Sequence, residues 1–186
     1  IILLLLVLSC SSREAIEPKD ILKKHAITIQ DLTVLNSKIY DEISSYDIIM
    51  LGEIHGTKEP SEFAYGLCNL LSKKEENIVL ALEIPAVEME TFSDTMSKER
   101  LKELYFFEKQ NSFGMNGEAW LNLIDKCNQN DRVTIKFMDN HRCLSRDSSM
   151  YLDICEIKKT YPHSKIVSLT GNVHNWLKPF KNKLKI

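Results

Sequence analysis

Four short apolar runs, Ile48 to Glu53, Ile78 to Glu83, Val133 to Asp139 and Lys165 to Thr170, alternate with longer segments of helical spacing. Runs of this length separated by helices predict an α/β fold: a single domain with a mainly parallel sheet, flanking helices and right-handed crossovers. The intervening helices are expected over Ser61 to Lys74, Glu118 to Asn128 and Ser145 to Thr160. The first places Phe63, Leu67, Leu70 and Leu71 on one face, the second Trp120, Leu121, Leu123 and Ile124, and the third has Ser145 as its cap. Between Val87 and Phe107 the pattern predicts a broken helical stretch, with Ser93-Asp94 and Ser97-Lys98 as possible caps; Phe113 to Gly117 reads as a loop. There is no internal repeat and no low-complexity segment.

A parallel sheet puts all its strand C-termini on one edge, and ligands in open α/β sheets bind there. That edge would collect Glu53 and His55 from the first run, Glu83 from the second, Asp139 and His141 from the third, and Asn172 and His174 from the fourth. The richest of these junctions is LGEIHGTKEP, Leu51 to Pro60, where Gly52 and Gly56 let the backbone turn around the acid and the imidazole before Pro60-Ser61 opens a helix. Two chemistries use the same residues. In one, His55 is a general base whose tautomer is held by Glu53 or Glu83. In the other, Glu53, His55, Glu83 and His174 hold a divalent metal that activates water. Glu83 has a competing reading as a cap for the next helix, Asp139 and Asn140 as turn formers, His141-Arg142 as exposed residues, and Arg146-Asp147 as ordinary first-turn helix chemistry. His25 and His163 read as surface residues. No GxSxG, HExxH, P-loop or GxGxxG is present to support other chemistries.

With 186 residues, 44% hydrophobic, the chain has enough core for one domain and not comfortably for two. A net charge of -2 gives no basic field, so nucleic acid is not expected as a partner; Lys178, Lys181, Lys183 and Lys185 read as a solvated tail. The apolar run Ile1 to Leu8 followed by Ser9-Cys10 has the shape of a secretory h-region. Val7-Leu8-Ser9-Cys10 resembles a bacterial lipobox. Residues 1–9 are therefore expected to be signal, Cys10 the lipidated residue, 10–26 a tether, and 27–186 the domain. The lack of an initiator Met and a basic n-region suggests a sequence cut at its front. The expected location is the cell envelope, with the lipid on a membrane surface and a small-molecule ligand or substrate. The spacing of Cys68, Cys127, Cys143 and Cys155 matches no zinc pattern. Three of these fall in helical segments, where free buried thiols are common, and the sequence assigns no pairing.

Taken together, LGEIHGTKEP at 51 to 60, LEIP at 82 to 85, RDSSM at 146 to 150 and TGNVH at 170 to 174 resemble the superfamily of erythromycin esterases and ChaN-like haem-binding lipoproteins, with Tiki proteases as distant relatives. The resemblance spans about Ile48 to His174. It implies an α/β fold with a Glu/His-lined cleft at Glu53, His55, Glu83 and His174. Some members of the superfamily hydrolyse esters or peptides, with or without metal, and others bind haem. For this chain the resemblance implies an envelope lipoprotein of the ChaN-like group with a hydrolytic site, or alternatively a haem-binding uptake protein without catalysis. It also implies further chain beyond Ile186, and a domain too small for macrolide hydrolysis.

Overall fold

A computed structural model describes residues 28–108, 117–140 and 145–175. Cys10 and the rest of the expected signal and tether, His25, the Phe113 loop, His141, Arg142, Cys143 and the basic tail lie outside the described residues. The predicted architecture is present. Four strands, β1 (Ile48–Glu53), β2 (Ile78–Pro85), β3 (Val133–Asp139) and β4 (Lys165–Gly171), form one all-parallel sheet in the order β1-β4-β2-β3.

The helices are α1 (Ser37–Ile43), α2 (Glu59–Lys73), α3 (Lys98–Leu101), α4 (Tyr105–Glu108), α5 (Gly117–Asn128) and α6 (Arg146–Thr160), with short 3₁₀ turns at Ala86–Glu90 and Asn172–Asn175. They follow local chemistry. Pro60 stands in the first turn of α2, and the Ser145 hydroxyl accepts the Ser148 N–H at the start of α6. Helix α1, capped by Asn36, lies in a stretch for which the sequence carried no prediction. The Val87 to Phe107 region is broken more thoroughly than its pattern suggests. Only the Ser97 cap starts a helix, while Ser93 closes a turn to Met96.

Strand alternation divides the core in two. Ile78, Leu80, Leu82 and Ile84 of β2, with Val167 and Leu169 of β4, pack beneath α2 and α5. Val79, Ala81 and Ile166 pack against Met150, Ile154 and Ile157 of α6 on the other face. The same parity decides where each strand-end carboxylate points. Glu53, in phase with Ile49 and Leu51, faces the α2 and α5 layer; Glu83, in phase with Val79 and Ala81, faces α6. Gly56 adopts φ 87°, the left-handed conformation that lets the chain leave β1 and enter α2.

Candidate functional site

Glu53 ends β1 almost fully buried, and both its oxygens are taken. Oε1 lies 2.7 Å from Nδ1 of His55, and Oε2 accepts the indole N–H of Trp120 at 2.9 Å. Trp120 is itself wholly buried on α5, and a buried indole N–H needs an acceptor. An ionised carboxylate only accepts, so a neutral His55 bonded to it would place its proton on Nδ1 and leave Nε2 as the acceptor. The His55 side chain is 43% exposed, which leaves that nitrogen open to a ligand.

A second imidazole stands opposite. His174, in the turn after β4, lies 2.5 Å through Nδ1 from Oδ1 of Asp147 and 3.4 Å through Nε2 from Oε1 of Glu83. His174 therefore has a carboxylate near each of its ring nitrogens. Glu83 Oε2 accepts the Gly171 N–H at 2.5 Å. Its Oε1 makes an ion-pair contact of 2.7 Å with Nη2 of Arg146 but no well-angled hydrogen bond, although it is buried. Arg146 holds Asp139 with a two-pronged grip, Nε to Oδ1 at 2.8 Å and Nη2 to Oδ2 at 2.6 Å. The hydrogen bonds from Asp139, reinforced by the Glu83 charge and opposed by burial, push the guanidinium further above its ordinary value, so it stays charged throughout.

Gly171 is the floor between the two imidazoles. A Cβ there would lie 3.3 Å from Cε1 of His55, 3.5 Å from Oε2 of Glu83 and 3.5 Å from Cδ2 of His174. Three of the predicted site residues therefore converge on one hydrogen-sized space, with Glu53 directly behind His55. Comparison of the chain with family models, curated proteins and solved structures finds no match. The site thus rests on its own geometry.

Glu53, His55, Glu83 and His174 are brought together, with Asp139, Arg146 and Asp147 around them. The capping alternative for Glu83 fails, because the following 3₁₀ turn has no side-chain cap and the carboxylate is committed to Gly171, Arg146 and His174. Arg146 and Asp147 do open α6, and their side chains contact Glu83, Asp139 and His174. Gly52 and Asn172 contribute backbone at the strand ends, and Asn172 is exposed; His163 is exposed as expected. Two residues were missed. Trp120 reads as one more apolar position on a helix face, and only its indole nitrogen signals a need for an acceptor. Gly171 reads as half of a turn, and nothing in the linear pattern marks it as the point of convergence.

Among the described residues no group of three or more His, Cys, Asp or Glu side chains could hold a metal ion. The donors are already engaged. Glu53 accepts from His55 and Trp120, and Glu83 faces a guanidinium whose positive charge competes with any cation. A cavity of about 320 Å³ opens between α2 and α5, lined among others by Lys58, Ser61, Tyr65, Glu118 and Lys126 and by none of the four central site residues. Lys58 follows His55 by three residues, and Ala119, also in its wall, precedes Trp120.

Proposed function

We propose that this protein hydrolyses an ester or amide by proton transfer between two histidines of opposite character. The observation that supports the reading is the contrast in their surroundings: His55 has one carboxylate partner and one open nitrogen, whereas His174 has a carboxylate at each nitrogen. A nitrogen open to a ligand can take a proton from bound water, and an imidazole oriented between two carboxylates can hand one on. His55 Nε2 takes a proton from water as it attacks the carbonyl, and Glu53, held by Trp120, stabilises the imidazolium that forms. His174 returns a proton to the departing oxygen or nitrogen. The charged Arg146 fixes Glu83 and Asp139 so that His174 stays oriented.

The engaged donors fit a metal poorly, and no step is assigned to one. This reading agrees with the esterase side of the sequence resemblance and extends it to an envelope lipoprotein anchored through Cys10. The test compares activated esters, unactivated esters and amides on the parent protein and on His55→Gln and His174→Gln. Loss of the base should lower kcat on every substrate by about 10² to 10⁴-fold. Loss of the acid should spare p-nitrophenyl esters, whose leaving group needs no proton, and depress amides strongly. Equal activity of His55→Gln and the parent would overturn the proposal. Loss of activity on chelation, restored by a divalent ion, would favour a metal site instead, and a Soret shift on titration without hydrolysis would favour haem binding.

A further inference from the structure

Two buried thiols lie outside this chemistry. Cys68 is in the middle of α2 and Cys127 is near the end of α5; each is 1% exposed and both belong to the core cluster beneath the sheet. Contacts on either side fix the register of the two helices around them. Toward their N-termini, the Lys126 ammonium sits 4.9 Å from the centre of the Tyr65 ring. Toward their C-termini, Ser72 Oγ and the Asn130 amide bond each other at 3.0 to 3.1 Å. Between these clamps Cys68 and Cys127, both free thiols in this structure, stand as neighbours in the same core cluster.

We propose that Cys68 and Cys127 form a structural disulfide bracing α2 against α5. The clamps hold the two helices in register on either side of both cysteines, so the pair is brought together by packing that the bond would reinforce. The reaction is thiol–disulfide exchange. One thiolate attacks a low-molecular-weight disulfide such as oxidised glutathione, forming a mixed disulfide and expelling one glutathione thiolate. The second cysteine thiolate then displaces the other glutathione, so two protein thiols are oxidised while one external disulfide is reduced to two thiols. Contact with Cys127 and burial push the Cys68 thiol well above its ordinary value. Both cysteines are 1% exposed in the folded protein, so an external oxidant reaches them while the chain is folding.

The consequence reaches the site. Trp120 and Cys127 are seven residues apart on α5, hence on one face, so a bond at Cys127 tethers the helix that holds Glu53. The loop it closes is about 60 residues long, which in the chain-entropy account raises Tm by about 10 °C for a domain of this size.

The test refolds the full chain in a glutathione redox buffer, alkylates the remaining thiols in denaturant and maps peptides without reduction. The expected result is a linked Cys68–Cys127 peptide, an alkylated Cys155, and a Tm gain of about 10 °C that reductant reverses. Cys68→Ala and Cys127→Ala should each abolish the redox-dependent shift. Because a core alanine can itself impair folding, the peptide map of the parent protein decides. Recovery of Cys68 and Cys127 both alkylated, or linked to other cysteines, after equilibration in oxidising buffer would overturn the proposal.

Discussion

Trp120 shows how one atom of a core side chain can position a half-exposed imidazole. Its ring fills the space between α5 and the sheet, and its N–H holds one oxygen of Glu53 so that the other faces His55. Trp120→Phe keeps most of the packing and removes the donor. It should cost about 1 to 3 kcal/mol in urea unfolding, because a buried carboxylate oxygen is left unpaired. Steady-state kinetics should show kcat lowered by about tenfold with KM little changed, as expected for a group that orients the base. Gly171→Ala should separate the same effects in the opposite proportion. The added methyl sits 3.3 to 3.5 Å from His55, Glu83 and His174, so each must yield by a few tenths of an ångström. Hydrolysis should fall by at least about tenfold, since such small misplacements are costly to catalysis, while circular dichroism reports only a modest change in Tm.

At the scale of the element, the site is assembled by the ends of secondary structure. Helix α6 begins at Arg146 because Ser145 caps it, and the first two residues of that helix deliver the guanidinium and the Asp147 carboxylate. Ser145→Ala should cost about 1 kcal/mol of stability and weaken turnover beyond that loss, as the first turn that aims both side chains frays. A second helix end carries a pH dependence. Glu88, buried in the 3₁₀ turn after β2, accepts the backbone N–H of Phe106 at the start of α4. Burial raises its carboxyl above the ordinary 4.5, so the fold favours the neutral acid. That contribution is fully present below pH 4.5 and is lost as the pH rises through the higher folded value. Glu88→Gln, which cannot ionise, should therefore show a flatter Tm between pH 4.5 and 7 than the parent, measured by thermal melts across that range.

At the scale of the whole molecule, stability resides in the inner strands. Leu82 is fully buried at the centre of β2, and Leu82→Ala should cost about 2 to 5 kcal/mol in urea unfolding. Met50, on edge strand β1, is 51% exposed, and Met50→Ala should stay within about 0.5 kcal/mol of the parent. The edge strand thus contributes more to the site, through Glu53 and His55, than to the core. Helix α1, added before β1 by a segment without a clear apolar period, shows how weakly short helices announce themselves; only Ile39 among its residues is buried.

The alternation of apolar runs and helical spacing was sufficient to predict the parallel sheet, because that pattern has few other ways to bury its apolar faces. It also placed Glu53, His55, Glu83 and His174 on one edge, since parallel strands share a direction. What the sequence could not decide was pairing across that edge. Whether Glu53 or Glu83 held His55 depended on strand order and on the phase of each strand: β1 turns Glu53 toward Trp120, and β2 turns Glu83 toward Arg146. The meeting of His174 with Asp147, the convergence on Gly171 and the contact of Cys68 with Cys127 join residues far apart in the chain. Only tertiary packing sets such distances, because local propensity acts over a few residues and carries no information about what lies across the sheet.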